Sequence, residues 1–122
     1  MILPARWRRL SRIAFLVCLL AVFYLALAPK PVFTGADSDK VNHILAFFTL
    51  AALLRLGWPR QRLAIALSAL VGLGALIEVL QYFVGRDAAF GDLLADTVGL
   101  LLGAAAARIF AQPPAAIPPA SE

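Results

Sequence analysis

Four long apolar segments follow one another along the chain, and the breaks between them contain proline, glycine or charged residues. The segments cover residues 13–28, 41–56, 63–84 and 93–111. A helix needs about 20 apolar residues to cross the hydrocarbon core of a bilayer, so the third and fourth segments predict spanning helices directly. The first two are slightly short, and the second is also compatible with a re-entrant segment. The pattern predicts an all-α integral membrane four-helix bundle.

The breaks have the composition expected of helix ends. Pro29 and Gly35 follow the first segment, Gly57 follows the second and Gly85 follows the third. After the fourth segment, residues 113–122 contain four prolines and predict a disordered tail. No polar stretch is long enough for a second domain, so residues 1–112 predict one membrane domain.

Composition supports the same class. Hydrophobic residues make up 62% of the 122 residues and the mean hydropathy is +0.88, whereas soluble domains are usually about 45–50% apolar. The net charge is +4, but the basic residues flank apolar runs and form no nucleic-acid-binding pattern. The single Cys18 can form no internal disulfide and has no companion thiol for a metal.

The basic residues predict the orientation. With the N-terminus in the cytoplasm, eight of them lie inside and three outside, and the positive-inside rule therefore predicts an N-in, C-in topology. The inside set is Arg6, Arg8, Arg9, Arg12, Arg55, Arg60, Arg62 and Arg108, and the outside set is Lys30, Lys40 and Arg86. A signal peptide cleaved after Ala28 is the alternative for the first segment, but a mature chain beginning at Pro29 would be unusual, which favours an uncleaved span.

The same orientation places six of the seven acidic residues at or near the outer side, all except Glu122. Glu78 is the least expected of them, because a carboxyl group within a span is costly and is usually paired or functional. At about 1.5 Å per residue, Glu78 lies roughly 9 Å below the outer end of its helix and Asp96 about one turn below the start of its own. The sequence leaves open whether Glu78 is ionised.

One face of the fourth helix combines acids with small residues. Asp92, Asp96, Gly99 and Gly103 fall on the same side at 100° per residue. A GxxxG pair lets a neighbouring helix approach closely, so we expect this face, with both carboxyl groups, to point into the bundle. Asp92 is also well placed to be the N-cap of this helix.

The second helix carries Asp39, Lys40 and His43, three or four residues apart at its outer rim. The structural alternative for Asp39 is that it caps the N-terminus of the helix. The structural alternative for Lys40 is that its side chain extends to the membrane interface. His43 can serve as a general base, a proton relay or a metal ligand. One histidine with several carboxyl groups is only a loose match to a metal site, so no metal is predicted and any cofactor is left open.

The end of the third helix supplies the remaining candidates. Glu78 and Gln81 are three residues apart and share a face that also includes Gly74. Arg86 follows Gly85 in a turn, where it is either a bidentate clamp for an anion or the counter-ion of a nearby acid. A polar network that only holds the helices together is the structural alternative for the whole set.

In order along the chain, these residues resemble the VanZ-like family of bacterial membrane proteins. The shared pattern is D-K-x-x-H at 39–43, E-x-x-Q at 78–81, G-R at 85–86 and D-x-x-x-D-x-x-G at 92–99, within a stretch from about Asp37 to Gly103. Val84 stands where the family pattern has a proline. The resemblance implies a multi-pass protein of the bacterial plasma membrane. The family's namesake is linked to teicoplanin resistance, a role that we do not assume for this shorter chain.

The first functional hypothesis is an outward-facing polar pocket that binds or modifies an anionic envelope lipid or lipid-linked precursor. The catalytic candidates are His43, Glu78 and Asp96, the substrate-binding candidates are Lys40, Gln81, Arg86, Asp92 and Asp39, and the helix-packing residues are Gly99 and Gly103. The catalytic candidates would act as acid and base, and the substrate-binding candidates would hold the anion. No nucleophile stands out in the sequence. A non-catalytic membrane assembly or interaction protein is the second hypothesis, and a small proton-coupled transporter is the third.

Overall fold

The described part of the chain forms four α-helices. The computed structural model describes the backbone of residues 3–28, 36–86 and 89–110, and the side chains of these residues apart from 36–39. The helices are α1 (Ala5–Leu27), α2 (Ala36–Gly57), α3 (Leu63–Phe83) and α4 (Phe90–Phe110). The tail predicted to be disordered, residues 113–122, lies outside the described residues.

Each helix is long and apolar enough to cross a membrane, as predicted. The candidate spans are Ala5–Leu27, Lys40–Gly57, Leu63–Phe83 and Phe90–Phe110. The second helix is longer than its apolar segment because α2 already begins at Ala36. It is therefore a full-length helix rather than a re-entrant segment. Large apolar side chains such as Leu20, Tyr24 and Ile109 are exposed on the outside of the bundle, as expected of a surface that contacts lipid.

Two further helix starts differ from the sequence-based bounds. The first helix begins at Ala5, well before the apolar run, because arginine is a good helix former and the polar N-terminal turns can extend into the interface. The fourth helix begins at Phe90, which places Asp92 inside the first turn rather than at the N-cap. A carboxylate in that turn is still favoured by the positive end of the helix dipole.

The core lies where α2 packs between the other helices. Its fully buried apolar residues are Phe47, Leu50, Ala51, Leu70, Ile77 and Leu100, and α1 packs against them through partly buried side chains that include Phe15, Leu19 and Phe23. The most extensive helix contact is between α2 and α4. These two helices run in the same direction, and both begin at the end of the bundle where the acidic residues lie.

Gly99 and Gly103 lie directly against the backbone of α2. A Cβ atom at Gly99 would overlap the carbonyl group of Ile44 and come within 3.0 Å of its Cα, and one at Gly103 would meet the backbone of Phe48 in the same way. Both pairs are offset by the same number of residues, so the two helices touch once per turn. Only glycine leaves room for this approach, which is the physical role of a GxxxG face.

We therefore expect Gly99→Ala and Gly103→Ala to destabilise the protein. The added methyl group meets backbone rather than a flexible side chain, and overpacking of this kind costs about 1–3 kcal/mol. Gly72→Ala is the matched control, because a methyl group added at Gly72 would find nothing within 4 Å. The thermal unfolding midpoint in detergent measures the effect, and equal midpoints for all three variants would contradict the close α2–α4 contact.

The orientation across the membrane stays a prediction, and two loop positions test it. Ala89 lies between α3 and α4, and Gln61 lies at the opposite end between α2 and α3. In a background with Cys18→Ser, we expect Ala89→Cys to react with a membrane-impermeant thiol reagent on intact cells and Gln61→Cys to react only after lysis. The reverse pattern would place the acidic end in the cytoplasm.

Candidate functional site

Polar side chains from three helices meet at one end of the bundle, where α2 and α4 begin and α3 ends. We call this set the polar cluster, and it consists of Lys40, His43, Glu78, Asp92 and Asp96. Asp92 and Asp96 are buried, with exposed fractions of 4% and 0%. The side chain of Lys40 is 52% exposed, so the cluster is enclosed at its base and reaches the surface at Lys40.

His43 and Asp96 form the tightest contact of the polar cluster. The distance between His43 Nδ1 and Asp96 Oδ1 is 2.6 Å, which is a short, charge-assisted hydrogen bond. An ionised carboxylate accepts, so Nδ1 then carries the proton and Nε2 is the basic nitrogen of a neutral ring. His43 Nε2 lies 3.8 Å from Asp92 Oδ2, and Asp92 Oδ1 lies 3.7 Å from Lys40 Nζ.

Glu78 approaches the same group from α3. One ligand-capable atom from each of His43, Glu78 and Asp96 lies within 4.8 Å of the other two. The Glu78 Oε2 atom accepts a hydrogen bond of 3.1 Å from the backbone N–H of Ala89. Its Oε1 atom is buried and has no hydrogen-bond partner among the described residues. The carboxyl group is therefore anchored through one oxygen, and the other has no hydrogen-bond partner among the described residues.

A glycine on α3 makes this convergence possible. A Cβ atom at Gly74 would lie 2.8 Å from Asp96 Oδ2 and 3.3 Å from Leu93 Cδ1. A larger residue at this position would require the Asp96 carboxyl group or the Leu93 side chain to shift. At the rim, a Cβ atom at Gly91 would lie 3.2 Å from Lys40 Nζ, so the lysine crosses closely over the start of α4.

The turn after α3 directs Arg86 away from the polar cluster. Gly85 has a φ of +75°, and the backbone N–H groups of Arg86 and Gly85 bond the carbonyls of Gln81 at 2.8 Å and Tyr82 at 3.3 Å. This is a Schellman motif, in which glycine takes the left-handed position. The missing proline at Val84 therefore does not prevent a defined turn.

Arg86 and Gln81 both bind the end of α1. Arg86 Nη1 donates to the carbonyl oxygens of Leu25, Ala26 and Ala28 at 3.0 to 3.2 Å, and Gln81 Nε2 donates to Ala26 at 3.1 Å. A cation at a helix C-terminus satisfies unpaired carbonyls and complements the negative end of the dipole. Arg86 therefore links the end of α1 to the end of α3. Its Nη1 atom donates to protein carbonyls and does not face a pocket.

The predicted candidates thus divide into two groups. His43, Glu78, Asp96, Asp92 and Lys40 come together in the polar cluster, whereas Gln81 and Arg86 lie at the α1 terminus. The side chain of Asp39 lies outside the described residues. The backbone N–H of Ala89 and the carbonyl of Ala26 were not predicted, because a main-chain partner leaves no residue-type signal in the sequence.

The electrostatic balance of the polar cluster is acidic. It contains three carboxyl groups against one lysine and one histidine, and the lysine lies at the exposed rim. Buried carboxylates in excess favour protons, hydrogen-bond donors or cations. His43, Glu78 and Asp96 offer one nitrogen and two oxygens within 4.8 Å of one another, and donor atoms of these types suit a divalent transition metal.

The fold and the polar cluster together define a multi-pass helical membrane protein with an ionisable group buried at one end of the bundle. A protein-family model described as VanZ/LLP1 matches residues 2–111. The chain therefore belongs to the VanZ-like family. Neither a curated protein nor a solved structure matches it.

Replacing Arg86 tests the link to α1. Because hydrogen bonds from a charged donor contribute about 1.5–3 kcal/mol, we expect Arg86→Ala to lower the thermal midpoint clearly and Arg86→Lys to lower it less. The control is Arg62→Ala, since Arg62 precedes α3 and makes no side-chain cap hydrogen bond. Equal midpoints for Arg86→Ala and Arg62→Ala would show that the carbonyl contacts contribute nothing.

Proposed function

We propose that the polar cluster binds the headgroup of an envelope lipid or lipid-linked precursor and transfers a proton at one of its hydroxyl groups. The observation that carries the proposal is the meeting of His43, Glu78 and Asp96, from three helices, within 4.8 Å at the end of the bundle. Groups of this kind inside a membrane are costly and are usually functional. Membership of the VanZ-like family supports a bacterial membrane setting.

Depth favours a lipid over a water-soluble ligand. At about 1.5 Å per residue, His43 lies roughly 5 Å inside the span that starts at Lys40, and Glu78 roughly 8 Å inside the one that ends at Phe83. A position roughly 5 to 8 Å inside a span lies in the outer part of the hydrocarbon core, beyond the reach of bulk water. A lipid can place its polar group there while its chains remain among the exposed apolar side chains of the bundle.

Charge favours a particular orientation of that headgroup. An anionic group entering the cluster would face Asp92, Asp96 and Glu78, and this repulsion opposes its burial. Lys40 at the rim is the residue that can hold a phosphate or carboxylate, whereas the enclosed carboxyl oxygens can accept hydrogen bonds from sugar or alcohol hydroxyls. The proposed ligand therefore combines an anionic group near the surface with hydroxyl groups further in.

The His43–Asp96 pair supplies the proton-transfer chemistry. With Nδ1 donating to Asp96, His43 is oriented and its Nε2 can accept a proton from a bound hydroxyl group, while the carboxylate stabilises the resulting imidazolium. Asp96 is then a positioning residue for His43. The imidazolium returns its proton to the ligand oxygen or passes it to the Glu78 carboxylate, so the polar cluster moves a proton and forms no covalent bond. This arrangement requires no nucleophile from the protein.

A divalent-cation site is the second candidate, because the same three side chains offer ligand atoms of the right types. Elemental analysis of protein purified without chelator distinguishes a divalent-cation site from proton transfer by the side chains alone. Less than about a tenth of an equivalent of any transition metal supports proton transfer by the side chains alone. A stoichiometric metal that disappears in His43→Ala would replace that mechanism with metal chemistry.

The decisive prediction concerns function without loss of folding. We expect Glu78→Gln, His43→Ala and Asp96→Asn to reach normal membrane abundance but to lose the cell-envelope phenotype of the native gene, because each removes a titratable group from the polar cluster. Abundance is measured by immunoblot of membranes and the phenotype by lipidomics of complemented deletion cells. Thr97→Val is the control, since within the described residues the Thr97 hydroxyl donates one hydrogen bond, to the Leu93 carbonyl of its own helix.

If all three cluster variants accumulate poorly while Thr97→Val does not, the network is structural and the proposed function fails. Normal abundance with an unchanged lipid profile would also contradict it.

A further inference from the structure

A polar cavity lies at the end of the bundle opposite the polar cluster. It has a volume of about 280 Å³ and is lined by Arg8, Arg12, Trp58, Pro59, Arg60 and Gln61. We call it the arginine pocket. It is formed by the first turns of α1 and the short connection between α2 and α3.

The structure holds Arg12 in one position from three sides. Its Nε donates to the carbonyl of Gly57 at 2.8 Å, and its guanidinium lies 5.3 Å from the centre of the Trp58 ring. A Cβ atom at Gly57 would come within 3.0 Å of Arg12 Cγ, so the glycine permits this approach. The Trp58 ring is itself supported by an edge-to-face contact with Phe15 at 5.5 Å.

The wall on the other side of the pocket is also ordered by hydrogen bonds. The backbone N–H of Gln61 bonds the Trp58 carbonyl at 3.1 Å, and Arg55 Nη1 donates to the Gln61 carbonyl at 2.6 Å. The connection between α2 and α3 therefore presents Arg60 from a defined turn. A preformed turn reduces the entropy that a ligand would have to overcome on binding.

Among the described residues, the lining contains three guanidinium groups and no carboxylate. No ion pair involving Arg8, Arg12 or Arg60 occurs within the described part of the chain. Within the described residues, Arg12 makes one side-chain hydrogen bond, and it uses Nε. Both terminal nitrogens of the Arg12 guanidinium group can therefore donate to another acceptor. Three like charges around one cavity repel one another, and an anion that accepts hydrogen bonds from several of them removes that cost.

We propose that the arginine pocket binds a phosphate group, and that the headgroup of an anionic phospholipid supplies it. Arginine binds phosphate through paired N–H donors, and basic pockets between spanning helices are known sites for anionic headgroups. Trp58 and the start of α1 mark this end as a membrane interface, where tryptophan is enriched. The pocket is close in size to small-ligand sites and holds a headgroup rather than a whole lipid.

Fluorescence of Trp58 provides a direct test with the full chain. Trp7→Phe leaves Trp58 as the only tryptophan, and the protein is reconstituted in phosphatidylcholine vesicles that contain phosphatidylglycerol. Acyl-chain-brominated phosphatidylglycerol should quench Trp58 at a several-fold lower mole fraction than brominated phosphatidylcholine does. Each pocket arginine contributes about fivefold to such a preference, so Arg8→Ala and Arg60→Ala should each reduce it by that factor.

Two further variants separate pocket binding from general attraction. Arg9→Ala removes the same charge from the same turn of α1, but Arg9 does not line the pocket, so it should retain the preference. Arg12→Lys keeps the charge but loses the bidentate fork, and it should lose part of the preference. Arg60→Ala keeps the test valid if changes on α1 impair folding, since Arg60 is an exposed turn residue.

A second arm identifies the source of the phosphate group. Inorganic phosphate is added to protein in neutral detergent, against chloride of equal ionic strength, and the thermal midpoint is measured. Stabilisation that requires Arg8 and Arg60, without any lipid preference, assigns the pocket to free phosphate. No preference and no stabilisation, or an equal loss of preference in Arg9→Ala, would overturn the proposal.

Discussion

The backbone contact between α2 and α4 fixes the geometry on which the polar cluster depends. Gly99 against Ile44 and Gly103 against Phe48 set both the distance and the register of the two helices. Asp96 lies one turn before Gly99, and His43 is adjacent to Ile44. The 2.6 Å His43–Asp96 hydrogen bond therefore follows from the same register, because a slip of either helix by one residue would rotate one partner away.

The direction of the helices explains why acids and Arg86 can share one end of the bundle. Two helices begin there, so their positive dipole ends favour Asp92 and Asp96 near the start of α4. Two helices also end there, and the free carbonyls of α1 are bound by Arg86 and Gln81. The carboxyl groups are thus stabilised by the N-terminus of α4 and the Arg86 guanidinium group by the C-terminus of α1. The acids and Arg86 can therefore lie at the same end of the bundle without forming ion pairs with each other.

The sequence predicts most of the fold because a bilayer restricts a chain of this composition to spanning helices. It also predicts the inward face of α4, since Asp92, Asp96, Gly99 and Gly103 repeat at helical spacing. It could not predict that Arg86 binds α1, because its partners are backbone carbonyls about 60 residues away. The arginine pocket was missed for a related reason, since loop-charge counting uses arginines only to assign orientation and says nothing about their convergence around Trp58.

The hydrogen bonding of Glu78 bears on whether the polar cluster has the proposed ligand-binding role or a purely structural one. Polar networks that hold helices together contribute only modestly in membranes, about 0.6 kcal/mol per interaction, and they do so when their members are satisfied. In the polar cluster, the Oε1 atom of Glu78 is buried without a hydrogen-bond partner among the described residues. A hydrogen-bond donor on the proposed headgroup would offset the desolvation cost of that oxygen, which is the physical reason for assigning Glu78 to the proposed binding site.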